Sequence, residues 1–249
     1  MALNTDIEVH LDTLLEAGRF RDYGPNGLQV EGRPEVRRIV SGVTASRALI
    51  DAAIDAEADA ILVHHGLFWK GQDGRITGWL RTRLQLLLMH GVNLYAYHLP
   101  LDAHAELGNN AQLGLRLKLA PLSRFGDQDL GFIGAPAQAL TVAAMSALLQ
   151  YRLNRAPVVV EGDGRPIRRV AWCTGGAQGY FQAAIDAGAD AFLTGEISEP
   201  QAHMARESGV AFFACGHHAT ERYGAPAVAA HLAQHFGLEH QFIEIDNPA

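Results

Sequence analysis

An internal repeat constrains the fold of this chain more than any other feature of its sequence. Residues 37–63, RRIVSGVTASRALIDAAIDAEADAILV, align without a gap to residues 168–194, RRVAWCTGGAQGYFQAAIDAGADAFLT. Both copies begin with two arginines before an apolar run, and both contain the pattern AAIDA-x-ADA. Because such a repeat indicates one structural unit used twice, we expect two related halves.

Each copy has the pattern of a strand, a helix and a second strand. An apolar run leads into a turn of small residues, and apolar positions at spacings of three and four then predict a helix. A buried strand follows at 60–63 and at 191–194, and a later strand headed by Gly-Val follows at 91–97 and at 209–215. Strands that alternate with helices favour parallel sheets joined by right-handed crossovers.

The predicted fold class is therefore α/β, with two related units whose mostly parallel sheets are flanked by helices. We place the first unit at residues 1–121 and the second at 122–249. The segment 121–167 is rich in glycine and proline and contains a predicted helix at 141–151, which fits the opening of the second unit. The alternating sequence QFIEI at 241–245 predicts an edge strand that either closes the second unit or returns to the first.

Composition argues against several classes of protein. The chain has no run of about 18 apolar residues, so no transmembrane helix is predicted. Its acidic, amphipathic N-terminus lacks the basic start and apolar stretch of a signal peptide. A formal net charge of −7 argues against nucleic-acid binding, which needs a basic surface. Cys173 and Cys215 are the only cysteines and form no CxxC motif, which excludes a disulfide framework and favours the cytoplasm.

Histidines and carboxylates cluster where three of the predicted strands end. They are His64 and His65 after the first strand, His98 and Asp102 after the second, and His217, His218 and Glu221 after the third. In open α/β sheets, ligands bind beyond the carboxyl ends of the strands. Imidazole and carboxylate together favour zinc, iron, manganese or cobalt. We therefore predict a site for a pair of divalent metal ions between the two units.

Spacing supports metal binding for part of this set. His217 and Glu221 are four residues apart, so on a helical turn they would share one face and reach one ion. Asp102 lies four residues after His98, but Pro100 argues against a regular helix there.

Adjacent His64 and His65 would point to opposite sides of a strand, which suits ligands of two different ions. The two oxygens of Glu221 would allow it to bridge these ions.

Several side chains near these ligands have more than one interpretation. His218 is either a hydrogen-bond donor behind the ligands or a solvent-facing acid. Glu196 occupies in the second repeat the place that His65 holds in the first, and it is a catalytic base, a helix cap or a salt-bridge partner. Gly175 and Gly176 either cradle a phosphate or form a tight turn between a strand and a helix.

Six segments together resemble a known family. They are DYGPNGLQVEG at 22–32, HHGLFW at 64–69, YHLPLD at 97–102, NNAQL at 109–113, TGE at 194–196 and GHHATE at 216–221. In this order they are similar to the Nif-three-like dinuclear-metal-centre family, whose bacterial members often carry the label GTP cyclohydrolase I type 2 homologue. The resemblance implies a toroidal homohexamer whose dimetal sites face an inner cavity. It implies metal ligands at His64, His65, Asp102, His217 and Glu221, with His98 close by.

The resemblance also implies a metal-dependent hydrolase. Two divalent ions would activate a water that attacks a purine ring or a similar electrophile, while His98, Glu196 and His218 move protons. The sequence has no GxxxxGK[ST] phosphate loop, so the substrate stays open. One alternative is a non-enzymatic protein that binds or delivers metal, or a ring-shaped scaffold. An amidohydrolase barrel fits the length, but it would need eight strand–helix units and a His-x-His strand.

Overall fold

The structure is a computed structural model that describes residues 1–249 and divides into two compact units. The first unit comprises Met1–Leu101 and Gly224–Asp246, and the second comprises Asp102–Tyr223 and Asn247–Ala249. This division differs from the expected boundary at residues 121 and 122. The apolar face of the helix at 109–117 packs in the core of the second unit, which draws that segment into it.

The chain forms thirteen strands and ten α-helices. Up to residue 103 they are β1 (Ala2–Leu3), α1 (Asn4–Leu14), β2 (Gly27–Val30), β3 (Glu35–Val36), β4 (Arg38–Thr44), α2 (Arg47–Asp55), β5 (Ala60–His65), α3 (Gly78–His90), β6 (Asn93–Ala96) and α4 (Leu99–Ala103). Up to residue 221 they are α5 (Asn109–Leu117), β7 (Ala120–Phe125), β8 (Gly131–Ala135), α6 (Val142–Leu153), β9 (Val158–Val160), β10 (Val170–Trp172), α7 (Phe181–Asp186), β11 (Ala191–Thr194), α8 (Glu199–Ser208), β12 (Ala211–Ala214) and α9 (His217–Glu221). The last two elements are α10 (Gly224–Phe236) and β13 (Glu239–Phe242). None of the helices has the length and apolar composition that a membrane span requires.

The first unit is built on a five-stranded sheet in the order β13-β4-β5-β6-β2. Its first four strands are parallel, and β2 pairs antiparallel with β6 at one edge. Leu49 and Ala53, two of the apolar positions that predict α2, are fully buried. The C-terminal strand β13 lies in this first sheet, beside β4.

The second unit contains a six-stranded sheet in the order β7-β8-β10-β11-β12-β9. β10, β11 and β12 are parallel, whereas β7, β8 and β9 join through antiparallel pairings. The antiparallel strands all come from the segment between the two repeat copies. Both sheets have parallel central strands and helices against them, so the predicted α/β class is confirmed.

Equivalent hydrogen bonds in the two units show that the repeat is structural. Oδ2 of Asp59 accepts hydrogen bonds from the backbone amides of residues 37 and 38, at 2.8 and 3.0 Å. In the second copy, Oδ2 of Asp190 accepts them from the amides of residues 168 and 169, both at 2.9 Å. The second aspartate of each AAIDA-x-ADA pattern therefore fixes the start of the first strand of its own copy.

Candidate metal centre

Three imidazoles of the first unit lie together at the carboxyl ends of β5 and β6. A ring nitrogen from each of His64, His65 and His98 lies within 4.8 Å of the others. The ring centroids of His64 and His65 are 4.5 Å apart, and both rings are turned toward His98, at 4.9 and 5.8 Å. The expectation that His64 and His65 point to opposite sides of the strand is therefore wrong. β5 ends at His65, so regular alternation does not separate the two rings.

An oxygen atom lies next to Nδ1 of each of these three rings. The pairs are His64 with the Tyr97 carbonyl oxygen at 3.1 Å, His65 with Thr44 Oγ1 at 3.1 Å, and His98 with Asp22 Oδ1 at 2.7 Å. Carbonyl and carboxylate oxygens only accept hydrogen bonds, so Nδ1 of His64 and of His98 carries a proton. In the neutral ring the lone pair is then on Nε2, which is the usual arrangement of a metal-binding histidine.

The Asp22 carboxylate behind His98 is hydrogen-bonded at both oxygens. Oδ1 accepts from His98 and from the Tyr23 amide at 2.6 Å, and Oδ2 accepts from Asn26 Nδ2 at 3.0 Å and the Leu99 amide at 2.9 Å. Burial alone would raise the pKa of Asp22, but the hydrogen bond and charge of His98, with the bonds from Asn26 and Tyr23, lower it to about 2. The side chain is only 3% exposed and is ionised at neutral pH.

In the second unit, α9 places His217 beside Glu221. Nε2 of His217 lies 3.1 Å from Oε2 of Glu221, and Nδ1 lies 2.6 Å from Oε1 of Glu196. The helical turn that the spacing predicts is therefore present. Burial alone would lower the pKa of His217, but Glu221 and then Glu196 outweigh it and raise the pKa to about 9. Without a metal ion, this ring is protonated at neutral pH.

A glycine loop packs against the same carboxylates. Gly175 has a φ of +70°, and a Cβ atom there would overlap Oε1 of Glu221 and lie 3.2 Å from Nε2 of His217. A Cβ atom on Gly176 would lie 3.6 Å from Glu196. Because two carboxylates face this loop, a phosphate would be repelled in the metal-free protein. The glycines form the tight turn, and the phosphate interpretation is not supported.

Asp102 is buried in the second unit and hydrogen-bonded through Oδ1. It accepts from Asn109 Nδ2 at 3.0 Å and from Thr174 Oγ1 at 3.1 Å. The expectation that Pro100 prevents a helix here is wrong, because α4 begins at Leu99. A proline in the first turn lacks only an N–H group that would have no partner within the helix.

The structure narrows two of the open interpretations. His218 is 8% exposed, so it is not a solvent-facing acid. Glu196 does not cap a helix, because α8 begins with a capping box formed by Ser198 and Gln201. Its carboxylate is bound to His217 instead, which leaves the salt-bridge interpretation in place.

Sequence patterns assigned no individual role to Asp22, Thr44, Asn109 or Thr174. Asp22 and Asn109 do lie in motifs that carry the family resemblance, and Thr174 directly precedes the glycine loop. Thr44 has no comparable signal, since its contact with His65 depends on the pairing of β4 with β5.

Comparison with known proteins identifies the family. A family model described as Duf34/NIF3 (NGG1p interacting factor 3) matches residues 2–248. The chain belongs to the Duf34/NIF3 family. It is also similar to a protein of Neisseria meningitidis serogroup A that is named GTP cyclohydrolase 1 type 2 homolog. The two are 53% identical over 249 residues, which cover 100% of both chains.

Solved structures similar to this Duf34/NIF3 chain support the fold. One is the structural-genomics protein ybgI, with a TM-score of 0.96, 45% identity, and coverage of 99% of this chain and 100% of the other. Another is TTHA1606 from Thermus thermophilus, with a TM-score of 0.91, 34% identity and the same coverage. The predicted Nif-three-like family and fold are confirmed.

Proposed function

We propose that this Duf34/NIF3 protein is a metal-dependent hydrolase that holds two divalent ions in each subunit. The proposed ligands are His64, His65, Asp102, His217 and Glu221. The observation that carries the proposal is the shared orientation of the imidazoles, each of which has Nδ1 next to an oxygen. Metal-binding histidines are oriented in this way, so that Nε2 is the ligand atom.

The carboxylates fit the same role. Glu221 is 2% exposed and shares α9 with His217, and we propose that its two oxygens bridge the ions. Asn109 and Thr174 hold Asp102 through Oδ1, which fixes the direction in which this carboxylate points. Neutral imidazole and carboxylate suit zinc, iron, manganese or cobalt.

When bound, two such ions lower the pKa of a water and polarise an electrophile, which allows hydrolysis at neutral pH. The protein's own residues orient the ligands and hold protons next to them. Glu196 holds the Nδ1 proton of His217, and it is proposed to orient that ring rather than to act as a base. His98 is proposed to exchange protons with the substrate, and the buried His218 is proposed to act as a hydrogen-bond donor behind the ligands. Similarity to proteins named GTP cyclohydrolase 1 type 2 homolog makes GTP the first substrate to test.

Metal content tests the proposal directly. We would measure ions per subunit by mass spectrometry for the wild type and Glu221→Ala, purified without chelator or a histidine tag. About two ions in the wild type and fewer than one in the variant are expected if Glu221 bridges them. Glu199→Ala is the matched control, because Glu199 is an exposed carboxylate that pairs with His203 on its own helix. No metal in the wild type after anaerobic reconstitution would overturn the proposal, and two ions in Glu221→Ala would refute the bridging role.

A non-enzymatic role is the second proposal, and the glycine loop favours it. Glu221 and Glu196 face Gly175 and Gly176, so in the metal-free protein the loop disfavours a triphosphate, and the sequence has no GxxxxGK[ST] loop. The protein would then bind or deliver metal as a homohexameric ring. Release of formate from GTP by the metal-loaded protein would support the hydrolase. Bound metal without turnover would favour the second proposal, and light scattering would test the hexamer.

A further inference from the structure

Asp22 is a buried carboxylate that contacts His98 and is not among the proposed metal ligands. We propose that Asp22 is a positioning residue. It fixes His98 with its proton on Nδ1, so that Nε2 accepts a hydrogen bond from a water or substrate group bound beside His64 and His65. Because this role presupposes a ligand at those histidines, it rests on the proposed function.

The Asp22 carboxylate has only one orientation open to it. Its Oδ2 atom is held by Asn26 and by the Leu99 amide, so Oδ1 must face the ring of His98. Oδ1 of Asn26 in turn accepts a hydrogen bond from the backbone amide of His98 at 2.7 Å. The loop at 22–26 therefore fixes both the backbone and the ring of this histidine.

The duplicated fold contains a second carboxylate–imidazole pair of the same kind. β6 in the first unit and β12 in the second occupy the same place next to the middle strand of their repeat. His98 follows β6 and His217 follows β12, and each has Nδ1 against a carboxylate, at 2.7 and 2.6 Å. In the second unit Nε2 of that imidazole contacts Glu221. The same carboxylate–imidazole arrangement therefore recurs at corresponding strand ends, as expected for a functional pair.

The ring of His98 lies beside a small cavity. His98 contacts His64 at a ring distance of 4.9 Å, and Trp69 packs edge-on against it at 5.1 Å. These three side chains line a cavity of about 10 Å³, close to the minimum that one water molecule needs. A metal ion with three protein ligands keeps a position open for water or substrate. If Glu221 binds both ions, the five proposed ligands already supply three donor atoms to each ion, so His98 is not needed as a further metal ligand.

Nitrogen NMR on the zinc-loaded protein tests the tautomer of His98. Long-range correlation spectra of ¹⁵N-labelled wild type should show His98 protonated at Nδ1 and unprotonated at Nε2. In Asp22→Asn, one carboxylate oxygen becomes an N–H₂ group. That group must face either His98 and the Tyr23 amide or Asn26 and the Leu99 amide, all of which are donors. We therefore expect that His98 is no longer protonated at Nδ1 alone. Tyr23→Phe is the matched control, because it changes a ring 6.0 Å from His98 and keeps the Tyr23 amide. It should leave the tautomer unchanged.

Two results would overturn the inference. One is a wild-type His98 protonated at Nε2, which can be measured even if Asp22→Asn does not fold. The other is loss of an ion in His98→Ala, which would make His98 a metal ligand instead of an acceptor. Retention of the wild-type number of ions in His98→Ala is the expected outcome. If the wild type binds no metal, the proposed function fails, and the spectrum of the metal-free protein still decides the tautomer of His98.

Discussion

Nδ1 of His217 lies 2.6 Å from Oε1 of Glu196, on the opposite side of the ring from the atom that faces Glu221. The carboxylate therefore sets the direction in which His217 offers Nε2. Such supporting contacts contribute to metal affinity although they do not touch the ion.

Glu196→Gln is expected to weaken metal binding by about 10- to 100-fold without changing the number of ions at saturation. A neutral amide orients the ring less strongly and makes Nε2 a poorer donor. Competition against a chromophoric chelator measures the affinity. Glu199→Gln removes an exposed carboxylate from the neighbouring helix and should leave it unchanged. Equal affinities for the wild type and Glu196→Gln would show that this contact does not support metal binding.

Gly175→Ala is expected to impair both stability and metal binding. The left-handed backbone at φ +70° costs alanine roughly 1–2 kcal/mol, and the new methyl group overlaps the Glu221 carboxylate. Urea unfolding and metal content would be measured together. Gly179→Ala is the control, since a Cβ atom there meets no atom within 4 Å. Normal metal content in Gly175→Ala would mean that Glu221 can move without losing the ions.

Much of this architecture could be predicted because its signals are local. The repeat, the alternation of strands and helices, and the four-residue spacing of His217 and Glu221 all depend on neighbours in sequence. The contact between Asp22 and His98 spans 76 residues and exists only because β2 and β6 pair. The division of the chain into units could not be predicted from local sequence either, since it depends on where α5 and α10 pack.

Local rules also failed where an element begins or ends. Pro100 disfavours a helix interior, but it occupies the first turn of α4, where proline is tolerated. Strand alternation separates neighbouring side chains, yet the rings of His64 and His65 meet at the end of β5. Both failures occur at residues proposed to bind metal or next to them.

Asp22 should make the free energy of unfolding of the metal-free protein depend on pH. Its pKa of about 2 lies below the ordinary value of 3.8, so its stabilising contribution is complete above about pH 4 and is lost as pH falls through 2. The contribution is about 2 kcal/mol. Urea unfolding from pH 6 to pH 2 in chelator should show the wild type losing its advantage over Asp22→Asn across this range. A difference in the free energy of unfolding between wild type and Asp22→Asn that stays constant with pH would contradict an ionised Asp22.

The duplicated aspartates allow a paired test of the two units. Asp59→Ala and Asp190→Ala each remove a carboxylate that binds two backbone amides, and each should lower the free energy of unfolding by about 1–3 kcal/mol. The effect should be larger for Asp59, which also pairs with Arg33 at 2.8 Å. Asp186→Ala, at an exposed helix position, is the control. Equal and negligible effects would show that these bonds do not stabilise the repeat.

The first unit is not continuous in sequence, and this affects how it is completed during translation. α10 packs on β4 and β5, and β13 pairs with β4, but a ribosome adds both after all of Asp102–Tyr223. Until then, the edge of β4 is an open strand that can pair with another chain. The half of the protein whose synthesis begins first therefore receives its last helix and strand after every helix and strand of the other half, and its nascent form is the one that most needs protection from aggregation.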